Sequence, residues 1–167
     1  MKSDVVSRFR DRLDGVTMWD DYRARWRPSR NWAQTLFPAV DVIARDPTGA
    51  AAVGGWCEVA MMLGDTHAAP LALIACLYAE AAAPPHADLG RLRSHRDLCL
   101  LDLGLAKSRR SGAIPIKDLG RPDLVNVHDD ALERWLEEQL VPFDGELAAA
   151  AQAVLALAIA KVSEPES

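Results

Sequence analysis

From Pro47 to Leu89 the chain contains no lysine or arginine, and most of that stretch is Ala, Leu, Val, Met, Cys or Trp. Two runs of helical length, Gly49–Leu63 and Ala68–Ala83, fill it, separated by Gly64-Asp65-Thr66-His67. A helix at a protein surface needs a polar face, so helices apolar nearly all round belong in an interior. The sequence therefore predicts a buried central hairpin (49–83) around which the rest of the chain wraps.

At 167 residues the chain is long enough for one domain with a core of its own and short for two. Hydrophobic residues make up 50% and charged residues 26%, a globular rather than a disordered balance. The apolar runs fall below the roughly 20 residues needed to cross a bilayer, and Met1–Arg12 lacks the apolar core of a secretory leader. No membrane association is expected. Cys57, Cys76 and Cys99 are odd in number, lie within apolar helical runs and show no Cys-x-x-Cys spacing. They read as buried free thiols of a reducing cytoplasm. Arginine and alanine outweigh lysine as in high-GC coding, which suggests a bacterial source.

The remaining pattern is helical. Ser3 caps a segment that ends at Gly15, and Thr17-Met18-Trp19-Asp20 opens another, closed by Pro28. Trp32–Arg45 follows, with Pro38 expected to kink it or divide it in two. Pro84-Pro85 closes the hairpin, and Asp88 caps a helix running to about Lys107. Ser108–Asn126 holds Gly112, Pro115, Gly120 and Pro122 and reads as the longest loop. Asn126 or Asp129 caps Ala131–Leu140, and Asp144 caps a last helix over Glu146–Val162. No segment sustains the period-two alternation of a strand. The expected fold is all-α: a single-domain bundle of seven or eight helices over residues 1–162, with 163–167 a disordered tail.

Charge is segregated along the chain. The net charge is +3 over residues 1–45, −5 over 46–90, +5 over 91–121 and −8 over 122–167. The simplest arrangement lays the +5 segment against the −8 segment. The alternative leaves an acidic C-terminal face for a basic protein partner. The overall charge of −5 argues against non-specific nucleic-acid binding.

Several strings suggest chemistry. His95-Arg96-Asp97-Leu98 with Asp102-Leu103-Gly104 looks like the catalytic and metal-binding loops of a protein kinase, but both fall within one expected helix. A kinase requires strands between them and an Asn shortly after the Asp. Arg121 and His128 form an Arg-x6-His pair that resembles the motif of helical ribonucleases of the HEPN type. That resemblance implies His128 as proton shuttle and Arg121 as stabiliser of a pentavalent phosphate, with RNA as partner. Pro122 and the Asp129-Asp130 pair depart from a phosphate site. Among Asp65, His67, His86, His95 and His128 no two histidines are spaced i, i+3 or i, i+4, so no metal site is expected, and no cofactor motif is read. His95 lies between Leu92 and Cys99 on an apolar stripe and reads as a core histidine bonded to a neighbour.

Trp19, Tyr22, Arg23, Trp26 and Arg27 form a ladder along one short predicted helix. Tryptophan, tyrosine and arginine dominate interface hot spots. The same residues also serve in cores, with arginines stacked over the rings. With no convergent catalytic set, the leading expectation is a non-enzymatic interaction module that is immunity-like, an adaptor or an accessory protein. Its partner-binding residues would be this ladder. The alternatives are a ribonuclease or hydrolase using Arg121 and His128, and a self-associating helical subunit whose hairpin or last helix exposes an apolar stripe.

Overall fold

The computed structural model describes the backbone of residues 31–65, 69–108, 124–127 and 129–163. These form six α-helices: α1 Asn31–Arg45, α2 Ala50–Asp65, α3 Ala69–Ala82, α4 Gly90–Asp102, α5 Asp129–Leu140 and α6 Leu147–Ser163. A two-stranded ladder, β1 Ala106–Ser108 with β2 Leu124–Val127, lies between α4 and α5, and a 3₁₀ turn Val141–Phe143 follows α5. The described chain is mostly helical, as the sequence predicts. The helices expected over Ser3–Leu13 and Thr17–Trp26, and residues 164–167 of the expected tail, lie outside the described residues.

α2 and α3 form the central hairpin. Every residue of α3 from Pro70 to Cys76 is buried, and Leu71 through Cys76 have no exposure at all. Such a helix has no polar side to offer water, so it is enclosed by others. α2 packs on α1, α3 and α4, while α6 packs on α3 and α1 and buries Ala150, Ala151, Val154, Leu157 and Ala158. Trp56 of α2 meets Tyr78 of α3 edge to face, with ring centroids 5.2 Å apart.

Four local expectations are corrected. α1 is one helix through the exposed Pro38 and not two pieces, with Leu36, Ala39 and Ile43 on the buried face holding it to the core. α4 stops at Asp102 instead of Lys107, because Gly104 adopts a left-handed φ of 71°. The Leu105 N–H then donates to the Leu100 carbonyl at 2.8 Å, closing the end as a glycine cap does. The expected Ser108–Asn126 loop is paired at its two ends: Ala106 faces Val127 and Lys107 faces Asn126, antiparallel, with a register shift before Ser108. Strands of three and four residues are too short for alternation to show. Finally, Asp144 is a left-handed turn residue (φ 57°) followed by left-handed Gly145, so α6 begins at Leu147, after the turn, rather than directly from an Asp144 cap.

Candidate functional site

The string His95-Arg96-Asp97 is built into α4 and serves packing. Arg96 Nη1 donates to both carboxylate oxygens of Glu80 on α3, at 2.7 Å each, and Nη2 to Asp97 Oδ1 at 3.0 Å. Arg93 Nε adds a bond to Glu80 Oε1 at 2.9 Å. Burial opposes the charge on Arg96, but the bonds to Glu80 and Asp97 outweigh it and raise its pKa. Asp97 is shifted up by burial, against the pull of Arg96. This is an interhelical clamp between α3 and α4. His95 is half-buried and has no hydrogen-bond partner among the described residues, so the bonded core histidine expected from the sequence is not what forms. Burial and the neighbouring Arg91 lower its pKa, against the pull of Glu58.

The three cysteines are buried and free, as read from the sequence. Burial raises Cys57 and Cys76 above the ordinary thiol range and takes Cys99 to about 12. A thiol nucleophile or ligand requires the opposite shift. Among the described residues no group of three or more His, Cys, Asp or Glu is placed to hold a metal. Arg121, His128, His67 and the ladder Trp19, Tyr22, Arg23, Trp26 and Arg27 lie outside the described residues.

Of the eight basic residues in the +5 segment, the side chains of Arg91, Arg93 and Arg96 are described. The described arginines of the +5 segment pair with Glu58, Glu80 and Asp97, none of which belongs to the acidic C-terminal segment. On α5 and the turn after it, Asp130, Glu133, Glu137, Glu138, Asp144 and Glu146 are all exposed and make no ion pair among the described residues. Arg134 is the one basic residue between Asp129 and Glu146. The acidic segment is therefore not consumed internally by α4.

Three of these carboxylates, Glu133, Glu137 and Asp144, edge a groove. The chain bends by 71° between Asp130–Phe143 and Leu147–Ala160. At the elbow an open cavity of about 520 Å³ has Leu136, Leu140 and Val141 as apolar lining and Glu133, Glu137 and Asp144 as rim. Phe143 is buried and anchors the turn, while Val141 is 72% exposed, the most exposed large hydrophobic among the described residues. Among the described elements α5 lies closest along its backbone to the 3₁₀ turn, while its Leu132, Trp135 and Leu136 pack against the core. Sequence reasoning saw the net charge of this region but missed the groove. A signal was present in the two i, i+4 rows, Glu133/Glu137 and Leu136/Leu140, ahead of Pro142.

No single helix among the described residues is long and apolar enough to cross a membrane. Comparison with protein families, characterised proteins and solved structures returned no match.

Proposed function

We propose that this chain is a non-enzymatic protein-interaction module of the bacterial cytoplasm, immunity-like, an adaptor or an accessory protein, and that it binds a basic protein partner. The whole chain would then be one bundle of seven or eight helices, completed by residues 1–30. The observation that carries the reading is the acidic rim, unpaired among the described residues, beside an exposed apolar lining at the elbow of α5. Burying apolar surface drives association, offset by the lost freedom of the partners. The carboxylates add orientation and faster encounter with a basic partner more than affinity. The Trp19, Tyr22, Arg23, Trp26 and Arg27 ladder is the second proposed contact.

The test is affinity capture from host lysate with elution over a salt gradient, using the wild type, Glu133→Arg/Glu137→Arg and Trp19→Ala/Trp26→Ala. A stoichiometric protein partner released by salt and lost in either variant supports the reading, provided the thermal midpoint is nearly unchanged. A large loss of stability in the tryptophan variant would instead place those rings in the core, where truncation costs about 3–5 kcal/mol. Co-purifying RNA with no protein partner would overturn the reading in favour of the Arg121/His128 ribonuclease.

A further inference from the structure

Side chains four apart on a helix line up as ridges, and the furrow between two ridges receives a ridge of another helix. The residues that line the elbow cavity fall on two adjacent ridges of this kind. Glu133, Glu137 and Val141 form the outer one, and Leu136, Leu140 and Asp144, each three positions further on, form the inner one. Val141 and Asp144 lie beyond the last residue of α5, and the 3₁₀ turn keeps them on the same cavity. The inner ridge is fixed to the body, since Leu136 packs against the core and Leu140 is buried. The outer ridge is open, with Glu133, Glu137 and Val141 all exposed. Acids thus stand at the start of one ridge and at the end of the other, with Leu136, Leu140 and Val141 between them. From Glu133 to Leu140 the furrow runs about 10 Å, two helical turns.

We infer that the α5 elbow takes one amphipathic helix of a partner protein. That helix seats large apolar side chains at i, i+4 over Leu136, Leu140 and Val141, with lysine or arginine on both flanks. The inference rests on the reading of this groove as a docking surface for a basic protein and names the partner's recognition element. Charge complementarity sets the flanks: Glu133, Glu137 and Asp144 are exposed and make no ion pair among the described residues. The paired ridges set the helical form. An extended segment draws its affinity from main-chain bonds to a free strand edge. None is offered here, because the carbonyls of Leu140, Val141 and Phe143 accept from Gly145, Asp144 and Glu146. A nucleic acid would meet three carboxylates. The described helices of a second copy do not supply the pattern either. The arginines of α4 are held by Glu58, Glu80 and Asp97; α1, α5 and α6 have one basic residue each, and α2 and α3 none.

A display selection on the full chain tests this without a known partner. One library is an Ala/Gln-rich peptide randomised along one helical face, about 15 residues long so that the helix is marginally stable alone. A second library of equal length and diversity carries a central proline and samples extended segments. Glu133→Arg/Glu137→Arg is the counter-target. Enrichment is expected from the helical library alone, with large apolar residues at i, i+4 flanked by lysine or arginine. Fluorescence anisotropy of the enriched peptide should then show binding weakened about tenfold or more by Glu133→Arg/Glu137→Arg, several-fold by Val141→Ser, and progressively by salt. Proline at the centre of that peptide should abolish binding. Circular dichroism of each variant confirms that it folds. No enrichment from the helical library, enrichment from the proline library, an acidic consensus, or binding indifferent to the charge reversal would overturn the inference. A lysate partner lost in Glu133→Arg/Glu137→Arg, with no helical consensus selected, removes the helix and leaves the docking surface standing. If neither lysate nor library yields a ligand sensitive to the reversal, both readings fall.

Discussion

Gly54 and Gly55 are neighbours in α2 with opposite surroundings. A Cβ at Gly54 would meet nothing within 4 Å, whereas one at Gly55 would lie 2.7 Å from the Ala39 carbonyl oxygen and 2.9 Å from Ile43 Cγ1. Gly55 therefore lets the α2 backbone come close to α1. Gly54→Ala is expected to stabilise the fold by about 0.5–1 kcal/mol, because glycine loses the most backbone freedom in a helix. Gly55→Ala is expected to destabilise it by about 1–3 kcal/mol through overpacking against backbone. Urea unfolding of the two variants checks both signs. Cys99 supplies a second prediction at this scale. Its folded thiol titrates at about 12 against an ordinary value of 9.0, so the folded state disfavours the thiolate. The stability this represents is complete below about pH 9 and is lost as pH rises towards 12. The thermal midpoint should therefore fall through that window, less so in Cys99→Ala. Thiol labelling at neutral pH should be slow until the protein unfolds.

At the scale of elements, what joins α3 to α4 is more than apolar contact. Glu80 is 17% exposed in its side chain and receives both Arg93 and Arg96. Removing one member leaves the other partly buried without its partner, the costly half of such pairs. Glu80→Gln and Arg96→Gln are each expected to cost about 1–3 kcal/mol, with the double variant costing clearly less than the sum. A double-mutant cycle by chemical denaturation measures the difference. The hairpin helices were legible because an uninterrupted apolar run of that length has few other solutions. The ends of α4 and α6 were less so: Gly104 and Gly145 adopt positive φ, but the sequence alone does not show which glycine will turn the chain. The β1–β2 ladder was not legible, since its pairing joins residues about twenty apart and leaves no local periodicity.

For the whole molecule, the decisive result is where the charges go. The arginines of α4 are held by Glu58 and Glu80 from the hairpin, and the acidic residues of α5 and its turn have no ion partner among the described residues. If those carboxylates were structural partners, reversing one would destabilise the fold. With none paired among the described residues, Glu137→Lys is expected to leave the thermal midpoint unchanged or to raise stability by a few tenths of a kcal/mol, by relieving repulsion from Glu133 one turn away. Differential scanning calorimetry at low salt decides it. Local composition and period were enough to set the helical class, the buried hairpin and the burial of three free thiols. The assignment of ionic partners, the half-burial of His95 and the groove at the α5 elbow came from the packing of the helices. Coulombic pairing and concavity depend on which helices meet and at what angle, and a one-dimensional charge count carries neither.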